Sequence, residues 1–486
     1  MLCTMASLYW YDLETFGRNP YYDRIAQFAG IRTDDEFNPI GDPLVLYCKI
    51  TPDYLPDPQA CLLTGITPQH TLENGVSEAE FARIIRDELS RPGTCALGYN
   101  SIRFDDEFVR NLFYRNFYDP YEREWAGGNS RWDILDLVRT AHDLRPEGIE
   151  WPKDETGRTR FKLEMLSKAN GILHDHAHDA LSDVRATIGL AKRIYEAQPK
   201  LFTYLFNIRK KKDVQALIDL HAKTPFVHTS GMLYARNGGY TSLVMPLAPD
   251  PANNNCIYCY DLRYDPGLLL SEPVSEIRRR IFTPSDQLEG ERIHIKGVHV
   301  NKCPSVSPAS VLDDVTARRL GIDLEKARGY YKLLKSEPLL TQKVSEVFST
   351  KADGPDKDVD LAIYSGGFFN DKDRVRFPEL REAAPEALLS LSQGFEDTRI
   401  PQMIWRYGFR NYPRRMPPQE QKRWLSFCAS RILLPPGGQG TKWSDYRKWV
   451  SKYRQDRDLE PFQQVVVAQL EEYGAELEKE VLSYGG

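Results

Sequence analysis

What most limits the folding of this chain is a change of hydrophobic period within its first 200 residues. The runs SLYWYDLET, RIAQFAGIRT and PLVLYCKI are rich in β-branched and aromatic residues. Turn residues, including Asn19-Pro20 and Asn38-Pro39, separate them, so they read as three strands. The period then becomes helical: over Val76–Leu89, Phe81, Ile84, Ile85 and Leu89 share one side, and Ser77 with Glu80 fits a capping box. TCALGY reads as a short buried strand. Helices are expected over Asp106–Tyr118, Trp132–Leu144, Phe161–Asn170 and Ala180–Ala197. Strands followed by a strand among helices imply an α/β sheet covered on its faces.

With 486 residues, the chain has room for roughly three domains at about 150 residues each. From about Pro199 the pattern changes. After the basic junction NIRKKKDV come the strand-like runs PFVHTSG, YTSLVMPLA, NCIYCYDL and RIHIKGVHVNKCP, whose spacing suggests a small barrel or sandwich. Val315 to Phe348 turns helical, KADGPDKDVD reads as a polar connector, and the remainder is helical in pattern. The expected division is 1–199, 200–350 and 356–486, without an internal repeat. Hydrophobic residues at 41% and charged residues at 27% exclude the disordered and collagen-like classes. No apolar run of about 18 residues is present, so no membrane segment is expected. The N-terminal residues lack the basic and apolar regions of a secretory signal. Eight scattered cysteines without framework spacing read as reduced thiols, which gives a cytoplasmic expectation. Cys256 and Cys259 have redox or zinc spacing, but a strand places them on opposite faces and no second pair exists, so they read as buried thiols.

Net charge is −5, yet between Pro401 and Asp456 twelve Lys and Arg face only Glu420, Asp445 and Asp456, a surplus of nine. Such a segment suits a local grip on nucleic acid; a solvated helical surface reads equally well.

The sharpest local pattern is Asp12-Leu13-Glu14 at the end of the first strand. Alternation puts both carboxylates on one face, where they repel unless a cation lies between them, and hard oxygen donors suit Mg²⁺ or Mn²⁺. Two acids on an edge strand are the plainer reading. Asn100-x-x-x-Phe104-Asp105 follows the fourth strand, and Asp105 could simply cap the next helix. In His174-Asp175-His176-Ala177-His178-Asp179-Ala180-Leu181-Ser182-Asp183, a loop histidine precedes a carboxylate one turn inside a helix. The three histidines lack the cysteine or helical partners of a zinc site.

Taken in order, these three motifs resemble the DEDDh group of 3′→5′ exonucleases. Its DEDDy relatives would carry tyrosine at position 179, which is aspartate. The segments WYDLETFG, LTGITPQ, GYNSIRFDDEFVRNLFYRNFYDPY, NSRWDILDLVR, LRPEGIEWP, LSKANGI, AHDALSDV and NKCP are similar to the bacterial exonuclease I family. The similarity is dense over the first 200 residues and thinner beyond. It implies an RNase H-like mixed-sheet exonuclease domain, an SH3-like β domain and a C-terminal helical region. It also implies two Mg²⁺ ions, replaceable by Mn²⁺, held by Asp12, Glu14, Asp105 and Asp183, with His178 as general base.

The implied activity is 3′→5′ degradation of single-stranded DNA to 5′-mononucleotides by a monomer acting in DNA repair and recombination. Arg110, Arg115, Tyr118, Tyr121, Trp125, Arg131, Trp132 and Arg139 interleave cations with aromatics, as a stacking and phosphate track requires. The resemblance selects Arg110, Tyr121, Trp125 and Arg139 as strand contacts, with Lys162, where relatives carry Arg, on a phosphate. It places Glu14, Thr15, Phe16, Ile66 and Asn100 near the terminal nucleotides, while Trp132 is expected to pack in the core. The middle domain and basic segment would close the groove and make cutting processive. The acidic C-terminal tail of single-stranded DNA-binding protein is the implied partner, met by Arg145 and Tyr204. An RNA-trimming enzyme of the same superfamily and a non-catalytic strand-binding protein are the rival readings.

Overall fold

The computed structural model describes residues 7–174, 178–233, 239–349 and 358–484. The chain divides into two compact units. One comprises Thr4–Asn129, Asp175–Val184 and Asp353–Gly486; the other comprises Met1–Cys3, Ser130–His174 and Arg185–Ala352.

In the first unit, β1 (Ser7–Thr15) pairs antiparallel with β2 (Ile25–Thr33), which pairs antiparallel with β3 (Leu44–Tyr47). On its other edge β1 runs parallel to β4 (Thr94–Gly98), so the sheet is mixed. Tyr9, Tyr11 and Leu13, the odd positions of β1, are buried with Phe28, Phe81, Ile85, Phe108 and Leu112. The last four belong to the helices Glu78–Leu89 and Asp105–Arg115, which therefore cover this face. Ser77 caps the first of them by accepting from Glu80 N.

The expected helix from Asp106 to Tyr118 runs instead from Asp105 to Arg115. It stops where Phe117 takes a left-handed φ of 58°. A second core joins Phe16, Ile50, Leu55, Cys61 and Ile66 to the C-terminal helices Ile400–Asn411, Pro418–Leu433, Trp443–Arg454 and Pro461–Glu480.

Three of the twelve cations of 401–456 are interior and the other nine lie at or near the surface. Arg406, Arg410 and Arg431 are buried and paired with Asp53, Asp358 and Asp360. Against the upward push of burial, Arg410, Arg24 and Arg431 hold the Asp53 carboxyl below the usual carboxylate range. Arg415, Arg423, Arg447 and Arg454 pair at the surface with Glu386, Glu420, Glu478 and Glu471. Six of the twelve cations thus meet acids 17 or more positions away, Arg423 meets Glu420 within the segment, and Arg414, Lys422, Lys448 and Lys452 are exposed.

The second unit starts with β5 (Ser130–Asp133), where a helix from Trp132 was expected. Asp133 accepts from Leu135 N at 2.9 Å and caps the helix Ile134–Leu144, which delays its start by two residues. The strands β6 (Phe226–Thr229), β7 (Thr241–Pro249), β8 (Cys256–Asp261), β9 (Ile295–His299) and β10 (Ser305–Pro308) form an antiparallel sheet in the order β10-β6-β7-β8-β9. The helical stretch after it is broken into Asp314–Arg319, Leu324–Ser336 and Leu340–Phe348. Cys256 and Cys259 are buried, and burial pushes both thiols up. No disulfide occurs among the described cysteines, and no described helix is long and apolar enough to cross a membrane. The connector KADGPDKDVD lies largely outside the described residues.

Candidate active site

The even positions of β1 carry the chemistry. Because Tyr9, Tyr11 and Leu13 fill the core, Asp12 and Glu14 project to the opposite face. The strand is irregular just beyond: Glu14 pairs with Gln27, but Thr15 pairs with Ile25. Such a bulge ends regular pairing and re-aims the side chains beside it. β4 delivers the third acid. A Cβ at Gly98 would stand 2.8 Å from Tyr11 O, so only glycine allows this approach to β1. Asn100 then turns the chain with φ 65°, and Asp105 opens its helix. Asp105 is not the cap, because Phe104 holds that position and makes no side-chain cap bond.

Asp106 does the anchoring. It is 1% exposed, accepts from Tyr11 Oη at 2.5 Å and is ion-paired with buried Arg123. Sequence reasoning passed over this clamp, although the doubled Asp105-Asp106 was its visible trace. The fourth acid comes from the helix Ala180–Ala197, with Asp183 in its first turn. Asp179 Oδ2 accepts from Ser182 N at 3.0 Å, which fixes that helix start. His178 precedes it with a φ of 66° and is exposed. His176 lies outside the described residues.

Glu14, His178 and Asp183 each offer a ligand atom within 4.8 Å of the others. Burial, then Asp183, Asp105 and Asp179, push the Glu14 carboxyl up to about 9. Burial, then Asp105, Glu14, Asp183 and Asp179, hold Asp12 well above the carboxylate range. Glu14 and Asp105 are buried and Asp12 and Asp183 half-buried, and acids gathered this closely are ones that a cation between them would stabilise. Oxygen donors of this kind fit a hard divalent cation, and soft sulfur donors do not contribute. Asp105 and Asp183 also sit at helix N-termini, which favour negative charge.

Known proteins resemble this chain along most of its length. Residues 9–191 match the family described as Exonuclease, residues 209–350 the Exonuclease I SH3-like domain, and residues 357–477 the Exonuclease I C-terminal domain. Exodeoxyribonuclease I of Haemophilus influenzae is 45% identical over 430 residues, which span 88% of this chain and 90% of the relative. That of Escherichia coli is 44% identical over 450 residues, 92% of this chain and 94% of the relative. The chain belongs to the exonuclease I family. Among solved structures, exonuclease I from Methylocaldum szegediense superposes with a TM-score of 0.92 at 45% identity, covering 97% of this chain and 99% of that one. The zinc-ion-bound complex of E. coli exonuclease I with single-stranded DNA gives 0.91 at 42% identity, covering 97% and 99%. The complex of exonuclease I with the C-terminal peptide of single-stranded DNA-binding protein gives 0.89 at 41% identity, covering 98% and 100%. The RNase H-like mixed sheet with an SH3-like and a C-terminal domain is thus the exonuclease I architecture.

The remaining predicted positions do not form one exposed track. Trp125 stands 67% exposed, as a stacking surface must. Tyr121 is half-buried beneath the Arg110 guanidinium, 5.0 Å from its ring centroid. Arg110 is buried and paired with Glu107 and Glu124, so it orients Tyr121 while its own charge is matched internally. Two aromatics missed by the sequence reading extend this platform: Phe368, 86% exposed, lies edge-on to Tyr121 at 6.0 Å, and Tyr364 bonds Arg110 and Glu107. They lie some 240 residues downstream in a segment without charge, where no local pattern marks them.

Arg115 and Arg131 are corrections to the interleaved track. The first is buried on Glu78 and the second donates to Asn301 O, so both are structural. Phe16 and Ile66 are 1% and 7% exposed in the core shared with the C-terminal helices, and Thr15 Oγ1 donates to Gly17 O at 2.6 Å. Trp132 packs edge-on to Phe202 and Phe206, as expected of a core residue.

In the second unit, Arg139 is paired with Asp136 and stacked 5.3 Å from the Tyr240 centroid, while Lys162 is exposed just before the helix Leu163–Ala169. Arg145 is exposed and donates to Leu144 O; Tyr204 Oη donates to Val306 O at 3.3 Å.

Proposed function

We propose that the chain is a 3′→5′ exonuclease that hydrolyses single-stranded DNA to 5′-mononucleotides. The observation that carries the reading is the gathering of Asp12, Glu14, Asp105, Asp183 and His178, drawn from three separate segments, around one electron-rich point. Asp12, Glu14, Asp105 and Asp183 would hold two Mg²⁺ ions, with Mn²⁺ able to replace them. When bound, the ions neutralise charge at the scissile phosphate and acidify the attacking water. His178, exposed in the loop before its helix, takes the water's proton. A P–O bond forms to the water oxygen, the bond from phosphorus to the 3′ oxygen breaks, and that oxygen gains a proton. The strand is left one nucleotide shorter with a free 3′-hydroxyl.

Trp125 and Tyr121 would stack bases, Arg139 and Lys162 would meet phosphates, and Thr15, Phe16, Ile66, Asn100 and Arg110 would shape the wall around the last nucleotides. The solved complex of a relative with single-stranded DNA supports this substrate, and the complex of a relative with a C-terminal peptide supports the tail as partner, which Arg145 and Tyr204 would meet. Processive cutting, a repair role, cytoplasmic location, a monomeric state and the domain limits 1–199, 200–350 and 356–486 belong to the same reading.

The test uses 5′- and 3′-labelled single-stranded DNA and RNA, with Mg²⁺ or EDTA, for wild type and Asp183→Ala. Stepwise loss from the 3′ end of DNA, absent with EDTA and with Asp183→Ala, is expected. Equal cutting of RNA, or binding without cutting, would defeat the reading.

A further inference from the structure

Between the helices Ile134–Leu144 and Leu163–Ala169 the chain forms a short hairpin whose two faces differ in chemistry. Lys153 bridges Thr159 across it, Arg160 N donates to Pro152 O, Asp154 N donates to Arg158 O, and Gly157 turns the tip with φ 78°. Side chains on such a ribbon alternate, so odd and even positions face opposite ways.

The odd face is pinned. His142 Nε2 lies 3.1 Å from Thr159 Oγ1, and its ring meets Trp151 and Phe161 edge-on at 5.1 and 5.2 Å. Buried Asp143 holds the other imidazole nitrogen at 2.7 Å. Phe161 packs in turn on Tyr240 at 5.2 Å, the ring on which the Arg139 guanidinium is stacked. The base of the hairpin is therefore fixed to the same aromatic cluster that positions Arg139.

The even face carries Arg158, Arg160 and Lys162, all exposed, at alternate positions of extended chain. Alternate residues lie about 7 Å apart along a strand. That matches the step between successive phosphates of an extended single strand. The same face bears one acid, Asp154, which holds Arg160 at 2.8 Å and accepts from Arg158 N, so it orders the tip and leaves the row cationic.

We infer that this hairpin is a phosphate-binding arm, in which Arg158 and Arg160 continue the Lys162 contact along the backbone of the bound strand. The inference rests on the single-stranded DNA reading above and adds two substrate contacts to it. A packed base holds the backbone of this row, so less freedom is lost on binding than for cations on a mobile loop, which is the advantage of such an arm.

The experiment measures binding of a labelled oligo-dT to the full chain in EDTA as salt is raised. Each phosphate contact on a single strand contributes about 0.7 to the slope of log K against log salt. Arg158→Ala/Arg160→Ala should lower that slope by about 1.4, while Arg158→Lys/Arg160→Lys should keep it. Lys153→Ala, on the pinned face, should leave it unchanged. An unaltered slope in the double alanine variant, or an equal loss from Lys153→Ala, would overturn the arm. A wild type that degrades single-stranded DNA while the double variant keeps its slope sinks the arm alone. A wild type that neither binds nor degrades single-stranded DNA sinks the functional reading with it.

Discussion

Replacing Glu14 with Gln should stabilise the metal-free protein, and increasingly so as pH rises. Burial and the neighbouring acids move this carboxyl from an ordinary 4.5 to about 9. The folded state thus holds the proton more tightly than the unfolded chain does. The associated stability is complete below pH 4.5 and is lost as pH climbs through about 9. At about 1.4 kcal/mol per unit, the loss reaches roughly 3 kcal/mol by pH 7 and roughly 6 kcal/mol by pH 9. For a chain of 486 residues, an unfolding entropy of about 2 cal/mol/K per residue converts 1 kcal/mol into about 1 °C. In EDTA, the Tm of wild type should therefore fall by about 5 °C relative to Glu14→Gln between pH 5 and pH 9. Added Mg²⁺ should recover the loss, and more at pH 9 than at pH 6, because protons compete with it for the same oxygens. Thermal melts by circular dichroism across this range check the point. Parallel pH curves for wild type and Glu14→Gln would refute the claim that these acids are held together without their charge being matched.

His178→Ala should lower kcat by about 10²–10⁴-fold while single-stranded DNA binding in EDTA is retained; stopped-time product gels and fluorescence anisotropy separate the two. Trp125→Ala, at a position 67% exposed, should leave Tm unchanged and weaken oligonucleotide binding by about 1–3 kcal/mol, read as a rise in Kd. Asp106→Ala leaves Arg123 buried without its carboxylate and Tyr11 Oη without its acceptor, so stability should fall by about 3–5 kcal/mol, measured by thermal melting. Its Mg²⁺ affinity, followed by calorimetry, should fall as well, since Asp105 loses the adjacent anchor.

The candidate acids were legible because most are announced by short-range chemistry. Asp12 and Glu14 are two residues apart on a strand, and Asp183 follows His178 into a helix of clear apolar period. The limits of that legibility are equally physical. The charge count over 401–456 did not separate its nine surface cations from the three interior ones, because charge in sequence does not say where its counter-charge lies. Arg410 meets Asp53 across 357 positions, and Arg406 meets Asp358 and Asp360 across 48 and 46. Cation–aromatic interleaving failed in the same way at Arg115, whose partner Glu78 stands 37 positions back. A helix expected from Trp132 became a strand up to Asp133 because the cap set its start, and apolar period alone does not fix that boundary.

The two classes of residue meet in β1. Its odd side chains Tyr9, Tyr11 and Leu13 are core, while its even side chains Leu8 and Trp10 are buried and Asp12 and Glu14 belong to the candidate site, so one nine-residue strand is constrained on both faces and tolerates no shift of register. Tyr11 belongs to the first set, yet through Asp106 it fixes the start of the helix that presents Asp105 to the second. Packing and chemistry are coupled there by a single buried hydrogen bond. This coupling explains why the acids can be held close enough to displace their own titration: the energy opposing their approach is met by the hydrophobic face of the strand that carries two of them.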